Sequence, residues 1–280
     1  MESLVSTDWL AAHLGEPGLV VIDATKHLAA AGRDGGAEFS EAHIPGARFL
    51  DLASLNDPAS PLGQTLPGPQ QAAIALGALG ITSNDQVVIY DDSAVKTSAR
   101  AWFILTGYGF RNVAILDGGF EKWRAEDRPV ETGKINVAPG LTPLGDFTRP
   151  VRRMAEMLSN IESHAQQVVD ARDEGRFTGA TDDAVHDLPG GHIPGARHLF
   201  FRDLYNADGT FRSREDLRAL FEGAGLDLAK PVTATCGSGV TASVLLFALH
   251  LIGKDDGALY DGSWSEWGAD PATPKAIGPA

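Results

Sequence analysis

The sequence contains a single cysteine, Cys236, among its 280 residues. One thiol cannot form an internal disulfide, and it cannot supply the several cysteine ligands of a structural zinc site. Basic residues are also scarce, because 23 Lys and Arg face 37 Asp and Glu and leave a net charge of −14. Such a surface repels nucleic acid phosphates and anionic lipid, so neither is an expected partner.

Long apolar runs are missing as well. No run of roughly 18 apolar residues occurs, so we expect no membrane span. The first residues, MESLVSTDWLAAHLGEPG, lack a basic segment followed by an apolar one, which favours a mature start over a signal peptide. These features predict a soluble, reduced, cytoplasmic protein. The hydrophobic content of 43% is enough for the core of one large domain or two ordinary ones.

The sequence repeats itself once, with three pairs of similar segments in the same order and roughly 145 residues apart. The pairs are 41–52 with 190–201 (both containing HIPGAR), 19–25 with 167–173 (LVVIDAT and QVVDARD), and 116–123 with 260–267 (LDGGFEKW and YDGSWSEW). A period of this length is too long for a solenoid repeat and indicates two tandem copies of one domain. We predict domains over 1–133 and 151–280, joined by a Gly- and Pro-rich linker over 134–150.

Each copy alternates short β-branched apolar runs with helical segments. Runs such as VVIYD and PVTATC are typical of buried strands, and the segments 97–109 and 241–253 are typical of helices that end at Gly. This alternation predicts an α/β fold in which each domain is a mainly parallel sheet flanked by helices.

Cys236 directly follows the predicted strand PVTAT and precedes an almost wholly apolar helix. Ligands of open α/β sheets bind at this carboxyl edge of the strands. In the turn CGSGVT, Gly237 and Gly239 allow successive N–H groups to face one centre, and the helix dipole adds positive charge there. A thiolate at such a position is stabilised, so we predict a nucleophilic cysteine rather than an inert buried one.

The first copy lacks this chemistry. Its strand VVIY is followed by Asp91 at the position of Cys236, and the glycines of the turn are absent. A carboxylate cannot carry sulfur as a thiolate does. We therefore expect one active and one inactive copy.

In combination, these motifs resemble the tandem-rhodanese sulfurtransferases over nearly the whole chain. The resemblance implies that Cys236 takes sulfur from a donor as a persulfide and passes it to a thiol acceptor, such as a thioredoxin-like protein, or to cyanide. It implies no metal or organic cofactor. The loop CGSGVT is similar to that of members that use 3-mercaptopyruvate. Members that use thiosulfate carry two basic residues after the cysteine, where this chain has the neutral Gly237 and Ser238.

The resemblance also assigns site residues. Ser238 is expected to be catalytic, as the serine of a Ser-His-Asp relay, and Arg176 is expected to bind the donor. The loop positions that complete the predicted substrate site are Gly237, Gly239, Val240 and Thr241.

The chain departs from the family pattern at three positions. Gln64 and Ala53 stand where the relay has its histidine and aspartate, and Val185 replaces a second donor-binding arginine. His186, next to Val185, is the nearest substitute for that arginine. These departures leave the donor open between 3-mercaptopyruvate and thiosulfate.

Two other functions compete with sulfur transfer as interpretations of the cysteine loop. A cysteine phosphatase needs an arginine six residues after its cysteine, but that position is Ala242. A persulfide carrier without turnover remains an alternative.

Several other polar residues have structural interpretations. We expect His43 and His192 to hold turns, Asp170 and Arg172 to form an internal ion pair, and Asp117 and Asp261 to cap helices.

Overall fold

The computed structural model describes residues 1–133, 135, 137–140 and 142–280. The chain forms two compact units. The first unit comprises Met1–Ala59, Leu66–Thr148 and Tyr205–Phe211, and the second comprises Ser60–Thr65, Arg149–Leu204 and Arg212–Ala280.

The first unit is built on a five-stranded, fully parallel sheet in the order β1-β5-β4-β2-β3. Its strands are β1 (Leu4–Val5), β2 (Leu19–Asp23), β3 (Arg48–Phe49), β4 (Gln86–Tyr90) and β5 (Val113–Leu116). Its α-helices are α1 (Thr7–His13), α2 (Gly35–Glu41), α3 (Pro69–Ala78), α4 (Ser98–Gly107) and α5 (Gly119–Ala125).

The second unit has the same architecture, with a parallel sheet in the order β6-β10-β9-β7-β8. Its strands are β6 (Val151–Arg152), β7 (Gln167–Asp170), β8 (Arg197–His198), β9 (Val232–Thr235) and β10 (Ala258–Tyr260). Its α-helices are α6 (Met154–Ser163), α7 (Glu174–Thr178), α8 (Arg214–Gly223), α9 (Val240–Leu251) and α10 (Ser263–Trp267). The two sheets correspond strand for strand, which confirms the predicted duplication and fold class.

The central strands are buried on both faces. All residues of β9 and all but the first residue of β4 are buried, as the continuous β-branched runs predict. Helix α9 is buried nearly all round, with Thr241 and His250 as its only residues outside the core. Among the described residues, no helix combines the length and the apolar character needed to cross a bilayer.

The compact units divide between Thr148 and Arg149, inside the stretch that was predicted as a linker. Much of that stretch packs on the first unit. The N–H of Gly140 donates to the carbonyl of Gly77 at 2.9 Å, and the N–H of Thr148 donates to the carbonyl of Gly107 at 2.9 Å. Lys134, Asn136 and Leu141 of the predicted linker lie outside the described residues.

Candidate active site

Cys236 lies in the turn between β9 and α9, at the carboxyl edge of the second sheet, where the sequence predicted it. The cysteine is free and only 2% exposed. Its sulfur accepts a hydrogen bond from the N–H of Gly239, with an N–S distance of 3.1 Å. Gly239 can make this contact because its φ is +79°, a conformation that suits glycine. Helix α9 starts at the next residue, so its positive dipole end also lies beside the thiol.

The loop is tied to the start of α10. The hydroxyl of Ser263 accepts the N–H of Cys236 at 3.2 Å, and the N–H of Trp264 donates to the Cys236 carbonyl at 2.9 Å. Ser265 donates to the carbonyl of Gly237 from both its N–H (2.8 Å) and its hydroxyl (2.7 Å). Ser263 has a φ of +51°, which is unusual for a residue with a side chain. Two neighbouring strand ends therefore fix the position of Cys236.

The other predicted loop residues have fewer contacts. Val240 is buried at 8% exposure, whereas Ser238 and Thr241 are partly exposed. We find no hydrogen bond to the hydroxyl of Ser238 or Thr241 within the part of the chain that the structure describes. Of the two relay positions that depart from the family, Gln64 belongs to the second unit and Ala53 to the first.

Arg172 forms a buried ion network at the end of β7. Its side chain is fully buried, and its Nη2 atom lies 2.7 Å from a carboxylate oxygen of Asp170 and 2.7 Å from the carbonyl oxygen of Gly191. The guanidinium also lies over the ring of Trp264, 4.5 Å from its centre. The predicted internal ion pair is thus confirmed.

This buried arginine has a second consequence for the site. Burial favours the neutral form of Arg172, but the charges of Asp170, of Asp183 and of the nearby Cys236 outweigh that effect and raise the pKa of Arg172. The charges of Arg172 and Cys236 therefore act on each other across the site. Sequence reasoning missed this contribution. The signal was available, because the first copy has Thr25 at the matching position and the arginine accompanies the cysteine only in the second copy.

Asp183 joins the remaining polar groups of the site. Its carboxylate is fully buried and lies 3.5 Å from Arg172, 3.4 Å from Arg176 and 2.9 Å from Nδ1 of His186. Burial alone would raise the pKa of Asp183, but the hydrogen bond from His186 and the charges of His186 and the two arginines lower it to about 2. Asp183 is therefore an anion at neutral pH, and it orients three side chains.

Arg176 and His186 are the parts of this cluster that reach solvent. The Arg176 side chain is 20% exposed, and its Nε atom pairs with Asp173 at 2.5 Å. The His186 side chain is 16% exposed and lies directly against Gly237 of the cysteine loop. Val185, which replaces an arginine of the family pattern, is 48% exposed. The structure thus brings Arg176 into a cluster with His186, whose contact with the loop the sequence did not reveal.

Comparison with known proteins decides the family. The model of the rhodanese-like domain matches residues 6–126 and again 153–270. The chain belongs to the rhodanese-like family. It is 38% identical to human 3-mercaptopyruvate sulfurtransferase over 95% of this chain and 91% of that protein, and 38% identical to bovine thiosulfate sulfurtransferase over the same shares. The crystal structure of SseA from Escherichia coli, a 3-mercaptopyruvate sulfurtransferase fold, superposes with a TM-score of 0.86 at 34% identity, covering 94% of this chain and 99% of that one.

These relatives make the protein a sulfurtransferase, as the sequence predicted. They do not separate the donors, because a relative named for 3-mercaptopyruvate and one named for thiosulfate are both 38% identical to this chain.

The first rhodanese-like domain has a carboxylate where the second has its thiol. Asp91 follows β4 and is 4% exposed. One of its oxygens accepts the N–H of Ser93 and the other accepts the N–H of Ser98, both at 2.8 Å. Residues 92–97 separate it from α4, whereas only residues 237–239 separate Cys236 from α9. The side chain of Asp91 thus binds the backbone donors of a longer turn in this rhodanese-like domain.

The histidines of the two HIPGAR turns are structural in both rhodanese-like domains. Nδ1 of His43 contacts the carbonyl oxygen of Phe39 at 2.6 Å, and its ring stacks on the Phe39 ring. His192 makes the same two contacts with Phe177, at 2.9 Å between Nδ1 and the carbonyl oxygen. Both histidines are buried, so the prediction of a structural role is confirmed.

The predicted capping role of Asp117 and Asp261 is wrong. The N-cap residues of α5 and α10 are Gly118 and Gly262, and neither cap involves a side-chain hydrogen bond. Asp117 instead accepts the N–H of Phe211 at 2.8 Å. The prediction failed because the partner of Asp117 lies in a segment distant in sequence, which local spacing does not reveal.

Proposed function

We propose that this sulfurtransferase moves sulfur from 3-mercaptopyruvate through a persulfide on Cys236 to a thiol acceptor. The observation that carries the proposal is the environment of the cysteine sulfur. It accepts the Gly239 N–H, lies at the start of α9, and is near the buried cation of Arg172. These groups surround the sulfur with hydrogen-bond donors and positive charge, which suits a sulfur that reacts as a nucleophile.

In the first half-reaction, the Cys236 thiolate attacks the sulfur of 3-mercaptopyruvate. A sulfur–sulfur bond forms as the carbon–sulfur bond of the donor breaks. The electron pair of the broken bond leaves with the carbon as the enolate of pyruvate, which takes up a proton. Cys236 is left as a persulfide, which the N–H groups of the 237–241 turn can stabilise when it is ionised.

In the second half-reaction, the thiolate of an acceptor attacks the outer sulfur of the persulfide. The sulfur–sulfur bond breaks, the Cys236 thiolate is released, and the acceptor leaves as a persulfide. A small thiol or a dithiol protein of the thioredoxin type fits this step. Cyanide can attack the same outer sulfur and leaves as thiocyanate. With a dithiol acceptor, the second thiol displaces hydrosulfide and closes a disulfide.

The choice of 3-mercaptopyruvate rests on the charge of the loop. Thiosulfate carries two negative charges next to the reacting sulfur, but the residues after the cysteine are the uncharged Gly237 and Ser238. The buried cation of Arg172 is already bound to Asp170. 3-Mercaptopyruvate has one carboxylate, remote from its sulfur. Arg176 pairs with Asp173 but is partly exposed at the rim of the cluster, where its guanidinium can also bind that carboxylate.

The first experiment is intact-mass spectrometry after treatment with 3-mercaptopyruvate. We expect one added sulfur on the wild-type protein and none on Cys236→Ser. Steady-state kcat/KM for 3-mercaptopyruvate and thiosulfate, with cyanide as acceptor, then ranks the donors. A higher kcat/KM for thiosulfate would make the protein a thiosulfate sulfurtransferase. An adduct without turnover by either donor would make it a persulfide carrier.

A gain-of-function variant tests the donor independently. Val185 is 48% exposed at the position of a second donor-binding arginine. We expect Val185→Arg to lower KM for 3-mercaptopyruvate by about tenfold or more, because a charged hydrogen bond contributes roughly 1.5–3 kcal/mol. Val185→Gln, of similar length and without charge, is the control. An unchanged KM in Val185→Arg would contradict the donor assignment.

A further inference from the structure

His186, the neighbour of Val185, places its imidazole against the cysteine loop. A Cβ atom built on Gly237 would lie 2.1 Å from Cε1 of His186 and 2.9 Å from each of its ring nitrogens. The imidazole therefore occupies the space that a side chain at the first loop position would need. This places Nε2 of His186 beside the turn that follows Cys236.

The orientation of the His186 ring is set by Asp183. The distance from Nδ1 to a carboxylate oxygen of Asp183 is 2.9 Å, and this carboxylate is fully buried. Because Asp183 is an anion, it accepts a hydrogen bond from the ring. Nδ1 of His186 therefore carries a proton. For Nε2 we find no hydrogen-bond partner in the described ranges, and 16% of the side chain is exposed. The ring thus has one nitrogen bound to Asp183 and a second, beside the cysteine turn, that can bind a ligand.

A partly exposed cation, Arg176, lies beside the ring. The cations that share Asp183 with His186 are Arg172 and Arg176. Arg172 is fully buried and bound to Asp170, so it cannot reach a ligand outside the core. Arg176 is partly exposed, and its Nη1 and the Nδ1 of His186 both lie within 3.4 Å of the same Asp183 oxygen. The two side chains are therefore neighbours at the rim of the loop.

We propose that His186 is a specificity-determining residue, which binds the carboxylate of the sulfur donor through Nε2 together with Arg176. This rests on the proposed use of a carboxylate-bearing donor. In the doubly protonated ring, Nδ1–H stays on Asp183 and Nε2–H donates to the donor.

The test compares two donors that differ only in the carboxylate, 3-mercaptopyruvate and 1-mercaptopropan-2-one. In His186→Asn, the amide nitrogen can keep the bond to Asp183, but no group reaches the position of Nε2. We expect KM for 3-mercaptopyruvate to rise by about tenfold or more, with kcat little changed. KM for 1-mercaptopropan-2-one should be the same in wild type and variant.

A matched control is available on the surface of the second unit. His250 also pairs its Nδ1 with a carboxylate, that of Asp255, and is 25% exposed. His250→Asn removes an equivalent His–Asp pair and should leave the KM values for both donors unchanged. His186→Gln, whose amide can reach the Nε2 position, should recover part of the affinity for 3-mercaptopyruvate.

A chemical experiment on the wild-type protein avoids any question of folding. Diethyl pyrocarbonate modifies imidazole nitrogens, and peptide mapping measures the modification of each histidine. We expect pyruvate, the carboxylate product, to slow modification of His186 and not of His250. Fragmentation of the tryptic peptide 177–197 separates His186 from the buried His192.

The outcomes separate this inference from the proposed function. Equal loss with both donors in His186→Asn would show that the histidine supports the loop and not the carboxylate, and a fall in kcat alone would assign it to the chemical step; either result overturns the inference. Failure of pyruvate to protect His186 would overturn it as well. If wild type forms no persulfide on Cys236, the proposed function itself fails.

Discussion

At the scale of single residues, Gly237 is the position where the loop has no room for a side chain. The ring of His186 fills the space beside it. We expect Gly237→Ala to displace the ring, to weaken its contact with Asp183, and to cost about 1–3 kcal/mol of folding stability, the usual cost of overpacking. KM for 3-mercaptopyruvate should rise in the same variant. Urea unfolding and steady-state kinetics measure the two effects.

The control for this variant is Gly223→Ala, at the end of α8. A Cβ on Gly223 would meet no atom within 4 Å. This exchange should leave kinetics unchanged and stability equal or slightly higher. If Gly237→Ala behaved in the same way as Gly223→Ala, the close contact between His186 and the loop would be absent in solution.

Removal of the Asp91 side chain should lower stability, whereas removal of the Cys236 thiol should abolish activity. Because the buried carboxylate accepts two backbone N–H groups, we expect Asp91→Ala to lose about 3 kcal/mol of stability. The kcat of the folded variant should stay close to wild type, since the proposed nucleophile, Cys236, lies in the other copy. Asp91→Asn retains one good acceptor. Its free energy of unfolding in urea should therefore lie between those of wild type and Asp91→Ala. A loss of kcat comparable to that of Cys236→Ser would refute the assignment of one inactive copy.

At the scale of elements, the site depends on two adjacent strand ends. The turn after β9 carries Cys236, and the start of α10 after β10 holds it through Ser263 and Ser265. We expect Ser263→Ala to cost about 1–3 kcal/mol, because the buried N–H of Cys236 loses its acceptor, and to lower kcat/KM. Ser265→Ala should cost less, since the N–H of Ser265 still reaches the carbonyl of Gly237. Equal effects of the two exchanges would contradict this ranking.

The elements were largely predictable from sequence, whereas the contacts between them were not. The β-branched runs and the Gly-rich turn placed Cys236 at the end of β9, because strand and turn signals are local in the chain. The grouping of His186, Arg176 and Arg172 around Asp183 depends on how the 172–186 segment folds back on the cysteine loop. That segment contains only the short helix α7 and has no periodicity that would reveal its path.

At the scale of the whole molecule, the stretch Tyr205–Phe211 belongs to the first unit although it lies far along the chain. The repeat could not predict this arrangement. By their order in the sequence, these residues belong to the second copy, although they pack with the first. Asp117 receives a backbone hydrogen bond from Phe211 for the same reason. The folded units are therefore not identical with the two stretches of sequence that encode the repeats.

Asp117 also makes stability depend on pH. Burial, with a smaller contribution from the charge of Asp208, raises the pKa of Asp117 from 3.8 to about 6. The folded protein therefore binds this proton more tightly than the unfolded chain. The resulting stabilisation is fully present below pH 3.8 and is lost as the pH rises through 6.

We expect Asp117→Asn to remove this dependence. Relative to wild type, the variant should gain about 1–3 kcal/mol of stability between pH 4 and pH 8, because it never places a charge at this site. Urea unfolding of both proteins at several pH values measures the difference. The amide oxygen can still accept the N–H of Phe211, so the fold should be retained. A constant difference across the pH range would show that the proton is not linked to folding.

The turn around Asp91 has a consequence for the history of the chain. Its carboxylate satisfies the N–H groups of Ser93 and Ser98 across residues 92–97, a longer stretch than the one after Cys236. Exchange of this aspartate for cysteine would leave those donors without a charged acceptor and would not shorten the turn. A cysteine turn like that of the second copy would require a deletion and a substitution together. Point mutation of Asp91 alone would not reproduce the turn that holds Cys236, so more than one mutational step separates the two copies at this site.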